Sequence, residues 1–228
     1  MQRSPIARSL PYAALVSIVV ALGMAFFYAP TEAVQGHVQR VFYLHVPTAW
    51  VSYLAFIVVA LASVLVLRGG DTERWDRIAG ASGEVGFVFT TVFLVSGMIW
   101  AKRAWGVAWA WDARMTSALV LWLIYGGYVL FRSLNQPGER RARLSAVIGI
   151  IGAIDIPIVH FAVLWWNSAH PPPTVLRPGG PDLPGSMLLT LMVSLVAFTI
   201  LFAALLVTRI SLDEERADAT LARDVARV

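Results

Sequence analysis

The chain contains no cysteine. That absence removes a disulfide framework, a thiolate metal site, thioredoxin-like redox chemistry and thioether attachment of any cofactor to this chain. A metal or cofactor would have to be held by His, Met or oxygen ligands. Charge is sparse too, with 14% of the 228 residues Asp, Glu, Lys or Arg. The G-x-x-x-x-G-K-S/T phosphate loop is missing, and with it that kind of nucleotide site. No internal repeat is visible. The pI near 9.8 could suggest nucleic acid. The basic residues, however, lie in short clusters between apolar runs, which is the pattern of membrane topology signals and not of a basic groove.

What is abundant is apolar surface: 58% of the residues are hydrophobic, which places the chain among integral membrane proteins. A bilayer core is spanned by roughly 20 helical residues. Six runs meet that length, at about 11–29, 46–67, 83–101, 115–132, 145–166 and 187–208. Arg3 and Arg8 precede the first run as they would in a signal peptide. Its length is that of a span, however, and no small-x-small cleavage site follows it. The expected fold is all-α, a polytopic membrane protein built as a bundle of six transmembrane helices. Residues 1–228 form a single membrane domain, and 209–228 form a cytoplasmic tail.

Orientation follows from the basic residues. One set of helix ends holds thirteen of them, from Arg3 and Arg8 through Arg68, Arg132 and Arg141 to Arg227; the other holds only Arg40, Lys102, Arg103, Arg114 and Arg177. The positive-inside rule then puts both termini in the cytoplasm. The loops at about 30–45, 102–114 and 167–186 become external. His37, His45, His160 and His170 fall in the outer half or its loops, with every tryptophan except Trp75. An aromatic belt would mark both interfaces, so this one-sided distribution asks for another cause.

The densest stretch is "WGVAWAWDARMTS", Trp105–Ser117. A short helix would put Trp105 and Trp109 on one face, whereas an extended segment would align Trp109 with Trp111. Either way adjoining aromatic planes stand beside cations. That suits a large, flat, apolar ligand carrying acidic groups, a description haem fits: stacking covers the macrocycle, and Arg or Lys pairs with the propionates. Plainer roles exist for the neighbours. Asp112 suits the N-cap of the next helix, and Lys102, Arg103 and Arg114 suit the headgroup region of the membrane lipid. His45 in "YLHVPTAW" and His170 in "WWNSAHPPPT" both lie near the outer surface, at the ends of the second and fifth spans. Two neutral imidazoles can ligate one haem iron from opposite faces. Asp155 and His160 lie deeper, on either side of Pro157. At five-residue spacing they do not share a helical face, so each needs a partner on another helix, as a packing pair or as part of a proton or substrate path.

"WGVAWAWDARMTS" resembles the tryptophan-rich WWD signature of the haem-handling family of cytochrome c biogenesis. "YLHVPTAW", "IPIVHFAVLWWNSAH" and the six-span layout are similar to its haem exporter protein C branch, over about residues 36–208. The resemblance implies a bacterial inner-membrane protein, not an enzyme, that holds haem b non-covalently at its periplasmic face and delivers it to a periplasmic haem chaperone. It implies His45 and His170 as iron ligands, with Trp105, Gly106, Trp109, Trp111, Asp112 and Arg114 as the signature around the haem. It further implies ABC transporter subunits and a small single-span membrane subunit as partners, and no nucleic acid. One departure stands out: Val107-Ala108-Trp109 replaces the family's Thr-Trp-Trp, so one stacking plane is missing. The alternatives are a haem transporter or channel using Asp155 and His160, and a haem lyase acting on apocytochrome c.

Overall fold

The computed structural model describes residues 5–166, 170, 174–175 and 177–225. It is all-helical among those residues: α1 (Pro5–Gly23), α2 (Phe42–Leu67), α3 (Thr72–Trp105), α4 (Ala113–Leu134), α5 (Glu139–Trp165) and α6 (Gly185–Val225). Six helical stretches are long and apolar enough to cross a membrane. A π-helical turn, Met24–Tyr28, prolongs α1, and a 3-10 turn, His37–Val41, leads into α2. Short connections make α2, α3, α4 and α5 antiparallel neighbours. The starts of α2 and α4 and the ends of α3 and α5 therefore gather at one end of the bundle.

Helix α2 is the central element, packed on α3, α5 and α6, while α1 lies against α6 and α4 against α5 and α3. The main core is aromatic. Phe56 of α2 stacks on Tyr125 of α4 with ring centroids 3.4 Å apart and planes 5° from parallel. Tyr125 also donates to the Gly149 carbonyl of α5 at 2.9 Å, so its hydroxyl is satisfied inside the bundle.

The helices overrun the apolar runs at the charged end. Helix α3 begins at Thr72, capped by the Asp71 carboxylate, which accepts from the Arg74 backbone N–H. At 34 residues it is about 51 Å long, well beyond a 30 Å hydrocarbon core. Its first turns carry Asp76, buried and paired with Arg132 of α4 and Arg141 of α5, the latter at 2.9 Å. A buried carboxylate needs such partners, and removing one would leave an uncompensated charge. The 209–228 segment continues α6 as helix through Val225. Arg209 binds Glu84 of α3 and Asp213, and Glu214 meets Arg77 at 3.0 Å.

Candidate functional site: an aromatic cleft with two imidazoles

At the other end of the bundle the last turns of α3, the 106–112 connection and the first turns of α4 line a small apolar cleft of about 70 Å³. Of the residues singled out from sequence, His45, Trp105, Trp109, Asp112, Arg114 and His170 all line it. Gly106 and Trp111 do not.

His45 stands in the first turn of α2, which starts at Phe42, a little earlier than the apolar run at 46 suggests. It is therefore a helical residue directed at α3, and is only 7% exposed. Its Nδ1 lies 3.1 Å from the Phe93 carbonyl and 3.2 Å from Ser96 Oγ. The carbonyl can only accept, so Nδ1 carries the proton and Nε2 keeps its lone pair for a metal. Such a bond from the other ring nitrogen is how proteins orient a ligating histidine. Phe93 and Trp100 flank the ring at 4.9 and 5.6 Å, and Gly97 lies beneath it, where a Cβ would come within 2.7 Å of Cε1.

His170 follows α5 and meets the Trp105 ring edge-on, with centroids 6.0 Å apart. The other residues of "WWNSAHPPPT" between 167 and 173 lie outside the described residues. Beyond them, Arg177 pairs with Asp182 at 2.6 Å, and Val175 and Leu183 pack on the cluster holding Phe42 and Tyr43.

Trp105 stands on the last residue of α3, because that helix runs on past the apolar segment. Gly106 then closes the helix at φ +79°, a left-handed conformation suited to glycine. Lys102 donates to the Gly106 carbonyl at 2.9 Å, so it ties down the turn. Residues 107–112 are not helical, which separates Trp105 from Trp109 and leaves Trp109 against Trp111, edge-on at 5.5 Å. Trp109 lines the cleft and its Nε1–H is buried with no acceptor among the described residues. Trp111 is 77% exposed. Asp112 caps α4, accepting from the Met115 N–H at 2.8 Å, which places Arg114 in the first turn of α4 at the cleft wall.

Sequence reasoning passed over Phe93, Gly97 and Trp100. They recur at four- and three-residue spacing, one stripe on α3 facing His45. Inside an apolar span that stripe reads as ordinary core. Trp100 also donates to Gln35 Oε1 at 2.7 Å, fastening the connection between the 24–28 and 37–41 turns to the cleft.

The donor set fits haem. One imidazole nitrogen is free to ligate iron, a second imidazole stands at the same cleft, the walls are aromatic, and Arg114 and the Trp109 N–H can bind acidic groups. Fold and site together define a polytopic membrane protein with an aromatic, histidine-bearing cleft at one end of its bundle. The profile of the family described as "Heme exporter protein C" matches residues 3–223. A "Heme exporter protein C" of Bradyrhizobium diazoefficiens is 41% identical over 87% of this chain and 76% of its own length. The protein of that name from Escherichia coli K12 is 35% identical over 71% of this chain and 66% of its own. A Marchantia polymorpha protein, named a cytochrome c biosynthesis ccmC-like mitochondrial protein, is 36% identical over 70% of this chain and 67% of its own. The chain belongs to the haem exporter protein C family.

Proposed function

We propose that this protein handles haem in cytochrome c maturation, holding haem b non-covalently in the cleft and passing it to a periplasmic haem chaperone. Haem is cargo here, and the protein is a delivery factor and not an enzyme. His45 and His170 are the iron ligands in this reading. Trp105 and Trp109 cover the macrocycle, and Arg114 binds the propionates. Gly106 and Asp112 act indirectly, by shaping the connection and starting α4. Trp111 supports Trp109 and offers exposed aromatic area to a partner.

The observation that carries the proposal is His45: its Nδ1 is engaged, its ring is clamped, and it shares the cleft with His170. Orientation rests on charge. Asp76 with its arginine partners lies at the end opposite the cleft, and the basic excess there supports a cytoplasmic position for that end. Both termini are then cytoplasmic and the cleft faces the periplasm across the bacterial inner membrane. ABC transporter subunits and a small single-span subunit are the proposed membrane partners.

The test is transfer. Protein reconstituted in lipid and loaded with haem should show a Soret band and lose it to a soluble haem chaperone. Failure to bind haem, or retention of all of it with an active chaperone present, contradicts the proposal.

A further inference from the structure

Asp155 lies in the middle of α5, inside the membrane-spanning part of the bundle, and is 8% exposed. Its Oδ2 has no hydrogen-bond partner among the described residues, and neither does the buried hydroxyl of Tyr53 on α2. The two helices pack on each other, and Asp155 is close enough to Tyr53 to act on it electrostatically, as is Arg114 of the cleft. His160, five residues further along α5, meets the Tyr53 ring edge-on at 6.4 Å.

Two buried polar groups without partners among the described residues, on helices packed against each other, need an explanation, because buried polar atoms in native proteins are almost always satisfied. An ionised carboxylate there would need a cation or several donors, and Tyr53 can give only one hydrogen bond. A protonated carboxyl with water meets the requirement: water donates and accepts, and it settles where two to four polar groups converge. We propose that Tyr53 and Asp155 form an intramembrane site that binds water, with Asp155 carrying a proton, on the α2–α5 seam beneath the cleft. His160 covers the Tyr53 side, and Tyr53 connects the site to the surroundings of Arg114. This reading does not depend on haem.

The test is infrared spectroscopy of the haem-free full chain in lipid nanodiscs at neutral pH, in H2O and D2O. The expected result is a protonated-carboxyl C=O band that shifts in D2O, is absent in Asp155→Asn, and moves in Tyr53→Phe. Asp155→Asn keeps a neutral hydrogen-bonding group of the same size, so it should fold and load haem as the parent protein does. A spectrum with no carboxyl band removed by Asp155→Asn overturns the protonated site. A band that Tyr53→Phe leaves unmoved overturns the shared water. Loss of haem loading in Asp155→Asn, with secondary structure intact, would show that the residue acts as a charge and would likewise overturn the proposal.

Discussion

Replacing Gly97 with Ala is the smallest change that reaches His45 without altering it. The added Cβ would lie 2.7 Å from His45 Cε1 and 3.3 Å from Nδ1. Carbon atoms settle at about 3.5–4.0 Å, so the imidazole must retreat by about 1 Å. The ring has nowhere easy to go: Phe93 and Trp100 pack on it, and its Nδ1 bonds are already 3.1 and 3.2 Å. A shift of that size stretches those bonds and turns Nε2 away from the cleft. Disturbing the support of a metal-ligating histidine typically costs 10–100-fold in affinity, or about 1.4–2.7 kcal/mol. The helix itself should not suffer, because Ala is the better helix former by up to about 1 kcal/mol. Gly127→Ala is the matched control, since nothing lies within 4 Å of its added Cβ. Haem titration of the purified variants, followed in the Soret region, should show Gly97→Ala weakened at least about tenfold and Gly127→Ala unchanged. If Gly97→Ala binds haem with parental affinity and spectrum, His45 is not held for ligation in the way described.

Three other outcomes are expected. Trp105→Leu or Trp109→Leu should each lower haem affinity about two- to tenfold, from the 0.5–1.5 kcal/mol of an aromatic contact. Trp111→Leu should do less, because that ring stands outside the cleft wall; equal losses in equilibrium titration would contradict this ranking. Asp112→Ala should destabilise the start of α4 by about 1 kcal/mol in thermal unfolding while Asp112→Asn stays near the parent, since Asn caps as well as Asp. A loss of haem binding in Asp112→Asn would assign the carboxylate a charge role at the cleft. Cysteines placed at Gly106 or Thr174 should react with a membrane-impermeant reagent applied from the periplasmic side, and one at Gly138 should not; the inverse pattern would reverse the orientation.

The bundle was readable because each span is an unbroken apolar run. The helix ends were not. Asp76 and Arg77 look like loop residues in sequence, yet they are helical, and their partners Arg132, Arg141 and Glu214 come from helices far along the chain. Tertiary ion pairs of that kind leave no local mark. In the cleft, the tryptophans and histidines stood out by residue type and by their gathering at one set of helix ends. Which tryptophan faces inward did not, because that depends on where α3 stops. The run of helix through Trp105 and the left-handed turn at Gly106 fix it. Phe93, Gly97 and Trp100 were hidden for a different reason: a residue that shapes a neighbour's rotamer looks like any other core position until the neighbour is known.

The most direct test of the central claim is the haem spectrum of His45→Ala, His170→Ala and the double variant, purified at matched expression in membranes. The account predicts that each single change alters the axial-ligand signature or loses haem, that the double variant retains none at the cleft, and that His37→Ala leaves the spectrum as it was. A parental bis-imidazole spectrum in both single variants would show that the iron is held elsewhere.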